Sequence, residues 1–308
     1  MERVIIVGSG PAGLSAGYRL ASLGRGRIRV TIIEKGVRIG GAGLTSDGKL
    51  NFHPSVGGNL EEFLPRGEAF KLMGYIQGIF RGIGGIREEA SYDEAKQSEL
   101  KKEASRHGIH FFGYPTLHVY TDRLARVVEN IREHLEEMGV EFRLRVTAED
   151  IVVEGDKVVA LETNKGRIAC DYLILAPGRS GSEWLKGICE RHGIPTRVNP
   201  IDLGVRVEVP NSIMEYVVEG CRCIDPKFQI YTPTYDDYVR TFCVCYKGKV
   251  RKEMYRRGIF GVNGHTLSKG TENTNLAILV RVALTEPLDC LLYTSDAADE
   301  GLGVDLGG

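Results

Sequence analysis

No apolar run in this 308-residue chain approaches the roughly 20 residues that a membrane-crossing helix requires, so a helical membrane anchor is not expected within it. A basic arm or polybasic run is also missing. The 40 Lys and Arg against 41 Asp and Glu leave a formal net charge of −1, which gathers neither nucleic acid nor anionic lipid. Met1-Glu-Arg passes directly into apolar residues, without the charged segment, apolar core and cleavage site of a secretory signal, and this predicts a cytoplasmic protein. The seven cysteines, at 170, 189, 221, 223, 243, 245 and 290, are odd in number, so reduced thiols are expected rather than a disulfide framework. There is no internal repeat.

What the chain does have begins at Arg3-Val-Ile-Ile-Val7, a β-branched run suited to a strand buried on both faces of a parallel sheet. Residues 11–23 predict a helix with a face of small residues, and Arg29–Glu34 predicts a second strand, giving a β-α-β unit. Gly8, Gly10 and Gly13 stand at the three positions of a G-x-G-x-x-G fingerprint: tight turn, close approach to a pyrophosphate, close helix packing. Pro11 and Ala12 open the helix, whose free N–H groups and positive dipole end face the phosphates. Glu34, 21 residues beyond Gly13 and followed by Lys35, is placed to accept both ribose hydroxyls of an adenosine and to repel a 2′-phosphate. Arg38-Ile-Gly40-Gly41 then offers a charged side chain and a paired-glycine turn beside the phosphates.

Further along, residues 36–60 are glycine-dense and loop-like, and residues 61–107 predict mainly helix. Thr121 can cap a helix carrying Leu124, Val127, Val128, Ile131 and Leu135 on one face, ended by Gly139. Short strands are expected at 140–146, 151–154, 158–163 and 172–176. A change of pattern near Pro195–Pro200 opens a second region: Ile201, Leu203, Val205, Val207 and Val209 alternate, as do residues 238–246 and 277–284, predicting an antiparallel sheet with one covered face. The expected fold class is therefore α/β, a Rossmann-like dinucleotide-binding domain (1–60 and 108–195, with a helical insertion at 61–107) and a second, mixed α/β domain at 196–289.

Gly8–Gly17, Glu34 and Arg38-x-Gly-Gly together resemble the FAD-binding signature of the glutathione-reductase-like flavoprotein superfamily. Ala42–Leu50, Tyr172–Gly181 and Arg240-Thr-Phe-Cys-Val-Cys245 narrow this to a resemblance to a bacterial family of uncharacterised FAD-dependent, NAD(FAD)-utilising dehydrogenases, across most of residues 1–289. The resemblance implies bound FAD, hydride transfer between a small-molecule substrate and flavin N5, and transient NAD(P)H as a possible donor. It also implies that Val146 meets adenine, that Ala176 and Gly178 return the chain to the cofactor, and that Gly43–Asn51 lies beside the isoalloxazine. Ser46, Asp47 and Lys49 become candidates for its polar edge, with Lys49 able to stabilise negative charge on the reduced ring. An ordinary turn at Asp47-Gly48 remains the competing reading.

His53 can serve as acid or base or lie as a surface histidine. Cys221-x-Cys223 and Cys243-x-Cys245 suggest zinc only weakly, because structural sites space cysteines by two to four residues; no metal is expected, and Cys243 stays a flavin-side catalytic candidate. No cysteine pair follows the glycine loop within the flavin segment, which disfavours a disulfide reductase, and no second G-x-G-x-x-G provides a resident nicotinamide site. The alternatives are a flavin monooxygenase or isoprenoid-type reductase, and a non-catalytic binding protein on the same fold. The residues leave oligomeric state open. From Cys290 the chain shows neither period and resembles translated sequencing-adapter read-through, so a non-native tail at 290–308, replacing a C-terminal flavin-binding segment and weakening activity, is expected.

Overall fold

The computed structural model describes residues 1–282 apart from 25, 59, 197–198 and 257–258; the expected tail at 290–308 lies outside them. The chain opens with β1 (Glu2–Val7), α1 (Pro11–Gly24), β2 (Ile28–Glu34), β3 (Lys49–Asn51), α2 (Arg66–Gly82) and α3 (Glu94–Arg106). Next come β4 (His110–Phe112), β5 (Thr116–His118), α4 (Leu124–Glu137), β6 (Glu141–Leu144), β7 (Ala148–Glu154), β8 (Lys157–Thr163) and β9 (Ile168–Ala169). The remainder is β10 (Tyr172–Leu175), α5 (Ser182–Arg191), β11 (Ile201–Pro210), α6 (Ser212–Glu215), β12 (Lys227–Tyr231), β13 (Tyr238–Cys245), β14 (Lys249–Arg256), β15 (Ile259–His265) and β16 (Asn273–Val282). The fold is mixed α/β, with a parallel Rossmann-like sheet and a separate antiparallel sheet, as the patterning predicts.

The first compact unit comprises, among the described residues, 1–45, 76–86 and 123–196. Its parallel sheet has the order β10-β1-β2-β6, so β1 has a neighbour on each side and the chain reverses its spatial progress there. Val4, Ile5, Ile6 and Val7 are all buried, which is why the run lacks polar alternation. Ile5, Val7 and Ile33 join Val146, Ile151, Leu161, Cys170 and Ile188 in one core, with β7, β8 and β9 forming a small antiparallel sheet. On α4, Leu124, Val127, Val128, Ile131 and Leu135 are buried as their spacing predicts, each contributing about 1.5–3 kcal/mol by leaving water. Thr121 is not its cap. The helix starts at Leu124 behind a 3₁₀ turn, Arg123 at the boundary makes no side-chain cap, and the Thr121 hydroxyl donates instead to the Ser46 carbonyl at 2.8 Å.

The second unit comprises, among the described residues, 46–75, 87–122 and 199–282. Its five-stranded sheet runs β11-β16-β13-β12-β4, antiparallel throughout. Residues 108–122, expected with the nucleotide-binding region, belong here because β4 pairs with β12 and β5 pairs with β3. The helices expected within 61–107 are α2 and α3, and the compact units divide between Tyr75 and Ile76, inside α2. The apolar face of β11 is only partly covered: Val207 and Val209 pack against Met214, Val218, Val244 and Leu276, whereas Val205 is 61% exposed.

Candidate dinucleotide site

A cavity of about 540 Å³ opens in the first unit at the carboxyl ends of β1, β2 and β10. In an open parallel sheet this crevice, next to the strand where the order reverses, is where ligands bind. The loop after β1 (Gly8–Ala12) lines one side, Glu34 and Lys35 another, and Ala176–Gly181 the third, with Gly41, Ala42, Val146 and Trp184 completing the wall. Local sequence forces this shape. Gly8 holds φ +100°, and a Cβ there would meet the Ala176 carbonyl oxygen at 2.1 Å; a Cβ on Gly13 would meet the Gly8 carbonyl. The glycines therefore let three backbone segments touch, leaving the N-terminus of α1 facing the cavity. This cradle of backbone N–H groups fits a pyrophosphate.

Glu34 ends β2 as expected, and it is already engaged. Its Oε2 accepts from the Ser9 amide at 3.2 Å and the Ser9 hydroxyl at 2.7 Å, and its Oε1 accepts from the Gly36 amide at 2.7 Å. These bonds hold the carboxylate on the cavity wall; they fill both acceptor sites of Oε2 and one of Oε1, leaving Oε1 able to accept from a ribose hydroxyl. Ser9, buried between two of the fingerprint glycines, is thus the residue that orients the acid. Lys35 Nζ donates to the Ser180 carbonyl at 2.9 Å, bridging two walls. Val146 donates its amide to the Glu34 carbonyl at 3.0 Å, fixing it beside the acid. Arg38 and Gly40 depart from expectation. Arg38 lines a separate shallow depression with Val128, Glu129 and Arg132, and Gly40 supports the loop by donating its amide to the Ser9 carbonyl, while Gly41 does reach the cavity.

Ser46, Asp47, Lys49 and Cys243 belong to the second unit, where they form another centre. The buried Lys49 Nζ lies 2.8 Å from Asp47 Oδ2, 3.4 Å from Asp225 Oδ1 and 2.7 Å from the Val244 carbonyl. Asp225 also accepts from Lys227 Nζ at 2.8 Å, the Tyr114 hydroxyl at 2.6 Å and the Val244 amide at 3.2 Å. Burial alone would raise Asp225, but Lys227 and Lys49 hold it far below the usual carboxylate range; burial opposes the charge on Lys49 too, yet the two aspartates raise it. Ser46 caps the turn, its hydroxyl accepting from the Gly48 amide at 3.2 Å, and Lys49 pairs with His118 across β3 and β5 rather than closing a local hairpin. His53 packs its ring among Phe70, Phe112 and Tyr114, and this burial, reinforced by Arg66, lowers its pKa. Cys221 and Cys223 sit in an apolar cluster with Leu100, Ala104 and Phe111, where burial pushes Cys223 up to about 12.

Residues 6–59 match the NAD(P)-binding Rossmann-like domain. An uncharacterized protein of Clostridium beijerinckii is 27% identical over 298 residues, spanning 91% of this chain and 52% of the relative, so the chain corresponds to about half of that protein's length. Among solved structures, NikD, an unusual amino acid oxidase essential for nikkomycin biosynthesis, aligns with TM-score 0.48 at 14% identity over 94% of this chain and 72% of its own. L-proline dehydrogenase from P. horikoshii aligns with TM-score 0.48 at 12% identity over 95% and 74%, and glycine oxidase from Bacillus cereus with TM-score 0.47 at 14% identity over 96% and 76%.

Arg179 and Ser180 were read only as part of the stretch Tyr172–Gly181, with no role of their own, and Trp184 went unread, although all three line the cavity. The signal was available: they follow Gly178, which takes φ +62° and turns the chain back across the strand ends. Asp225, between Ile224 and Pro226, carried no local pattern, because apart from Lys227 its partners come from residues 49, 51, 114 and 244.

Proposed function

We propose that the first unit binds FAD and that the protein is an FAD-dependent oxidoreductase acting on a small molecule. The observation that supports this best is the cavity itself: glycine loop, helix N-terminus and fixed acid converge on it from three strand ends. Gly10, Ala12 and Gly13 would hold the pyrophosphate through backbone N–H groups, Gly8 and Pro11 shaping the turn into the helix, with Gly41 beneath it. Glu34, oriented by Ser9, would accept an adenosine ribose hydroxyl at Oε1, and its charge would exclude a 2′-phosphate. Val146 and Ala176 would flank the adenosine half, and Gly178 with Arg179 would close the third side. Bound flavin would supply two-electron hydride chemistry at N5, with NAD(P)H as a transient donor.

Reconstitution tests the reading. The 308-residue protein, incubated with FAD and passed through a desalting column, is expected to retain a flavin absorbance band that bleaches under anaerobic NADH or NADPH. Retained flavin that no nicotinamide or amine donor bleaches favours a non-catalytic binding protein; a colourless eluate defeats the FAD assignment.

A further inference from the structure

Two residues apart on a regular strand, side chains on one face are roughly 6.8 Å apart. Cys243 and Cys245 instead bring their sulfurs to 3.7 Å. The cause is local: Cys243 adopts φ +47°, and the register of β13 against β16 shifts between Phe242 and Cys245, a β-bulge that turns both thiols toward Asp47. Asp47 Oδ2 lies 3.3 Å from Cys243 Sγ and 3.5 Å from Cys245 Sγ. Lys49 Nζ stands 4.0 Å from Cys243 Sγ.

The charges around the pair do not balance without it. Lys49, Lys227 and Arg206 bring three cations, and Asp47 and Asp225 only two anions. Arg206 reaches the Cys243 carbonyl at 3.2 Å and Asn275 Oδ1 through one terminal nitrogen, while its Nε and Nη2 are buried with no hydrogen-bond partner among the described residues. His118 and His265, the titratable groups facing the cluster from β5 and β15, are kept toward the neutral form by burial, His265 also by Arg251 of β14 against the pull of Glu253. Tyr114 is held protonated by burial and Asp225. A thiolate at Cys243 supplies the third anion, with the Cys245 thiol donating to it; that bond, Lys49 and Arg206 lower Cys243 against burial and the Asp47 carboxylate, and the Cys243 sulfur raises Cys245.

We propose that Cys243 and Cys245 form a dithiol site for hydrogen peroxide, in which the Cys243 thiolate attacks and Cys245 resolves the product to a disulfide across Val244. Cys245 is fully buried and Cys243 half-buried, which favours a two-oxygen oxidant over a bulky disulfide. In the first step the Cys243 sulfur takes one peroxide oxygen as the O–O bond breaks, giving the sulfenic acid and hydroxide, with the cysteine oxidised and peroxide reduced. In the second, Cys245 Sγ attacks Cys243 Sγ; the S–S bond forms, the S–O bond breaks, and hydroxyl leaves with the Cys245 proton as water. The disulfide forms as the sulfurs close from 3.7 Å to roughly 2.05 Å. The site is independent of the FAD assignment.

The test uses the reduced 308-residue protein and equimolar hydrogen peroxide, followed by alkylation, trypsin and mass spectrometry. Residues 241–247, between Arg240 and Lys247, form one tryptic peptide whose only cysteines are these two. It is expected to lose two hydrogen masses, while Cys170, Cys189, Cys221 and Cys223 remain alkylated. In Cys245→Ser the peptide is expected to carry a dimedone adduct at Cys243, absent from Cys243→Ser. Lys49→Gln is expected to slow alkylation of Cys243 about tenfold against Cys189 in the same molecules, with recovery in Lys49→Arg. A peptide that keeps both free thiols while the others oxidise overturns the proposal. So does protection of both thiols until a chelator is added, the signature of a metal held by Asp47, Cys243 and Cys245.

Discussion

At Gly10 an added Cβ meets no protein atom within 4 Å, whereas at Gly13 it lies 1.9 Å from the Gly8 carbonyl oxygen. The two fingerprint glycines therefore fail differently. Gly13→Ala is expected to destabilise the first unit by about 1–3 kcal/mol through overpacking, read as a lower midpoint in urea. Gly10→Ala is expected to leave that midpoint unchanged and weaken FAD by about tenfold or more, equivalent to about 1.4 kcal/mol, because the methyl occupies the space assigned to pyrophosphate. Equal losses of stability in both variants would contradict the assignment. Glu34→Ala removes the acceptor for the Ser9 and Gly36 amides and is expected to cost about 1–3 kcal/mol as well as affinity. These backbone roles were legible in the sequence because each is a steric demand that only glycine meets. The role of Ser9 was not, since a serine between glycines has no pattern until Glu34 arrives from 25 residues away.

Among the elements, β1, α1 and β2 were readable because buried parallel strands and a small-residue helix face leave periodic marks. The assignment of residues 108–122 was not readable: β4 finds β12 across more than a hundred residues, and nothing local specifies that pairing. The bulge in β13 escaped for the same reason. The strands of the second unit also hold the buried ion cluster, and its energetics follow from pairing. Asp225→Asn leaves Lys49 and Lys227 undercompensated and is expected to cost about 3–5 kcal/mol, measured by chemical denaturation. The pH dependence has a definite sign. Asp47 and Asp225 titrate lower folded than unfolded, so their contribution is present above the ordinary carboxylate value and is lost as pH falls below about 4. Lys49 titrates higher folded, so its contribution is full below about 10 and is lost as pH rises through the folded value. Stability of the second unit is expected to be greatest between these limits, and Asp225→Asn to flatten the acid limb of a denaturation series.

At the scale of the molecule, each unit carries its own chemistry: a dinucleotide cavity at the strand ends of one, a paired thiol centre in the other. No helix among the described residues is long and apolar enough to cross a membrane. Trp184, the chain's only tryptophan, lines the cavity and donates its indole N–H to the Glu149 carbonyl at 2.9 Å. Its fluorescence therefore reports the first unit alone. FAD at 100 times its dissociation constant is expected to raise the stability seen by Trp184 by about 2.7 kcal/mol. The most direct measurement is a titration of Trp184 emission with FAD, NAD⁺ and NADP⁺. The account predicts saturable quenching at equimolar FAD, weaker binding of NAD⁺, and weaker still of NADP⁺, whose 2′-phosphate meets Glu34. Emission unaltered by FAD, or tighter binding of NADP⁺ than of NAD⁺, would contradict it.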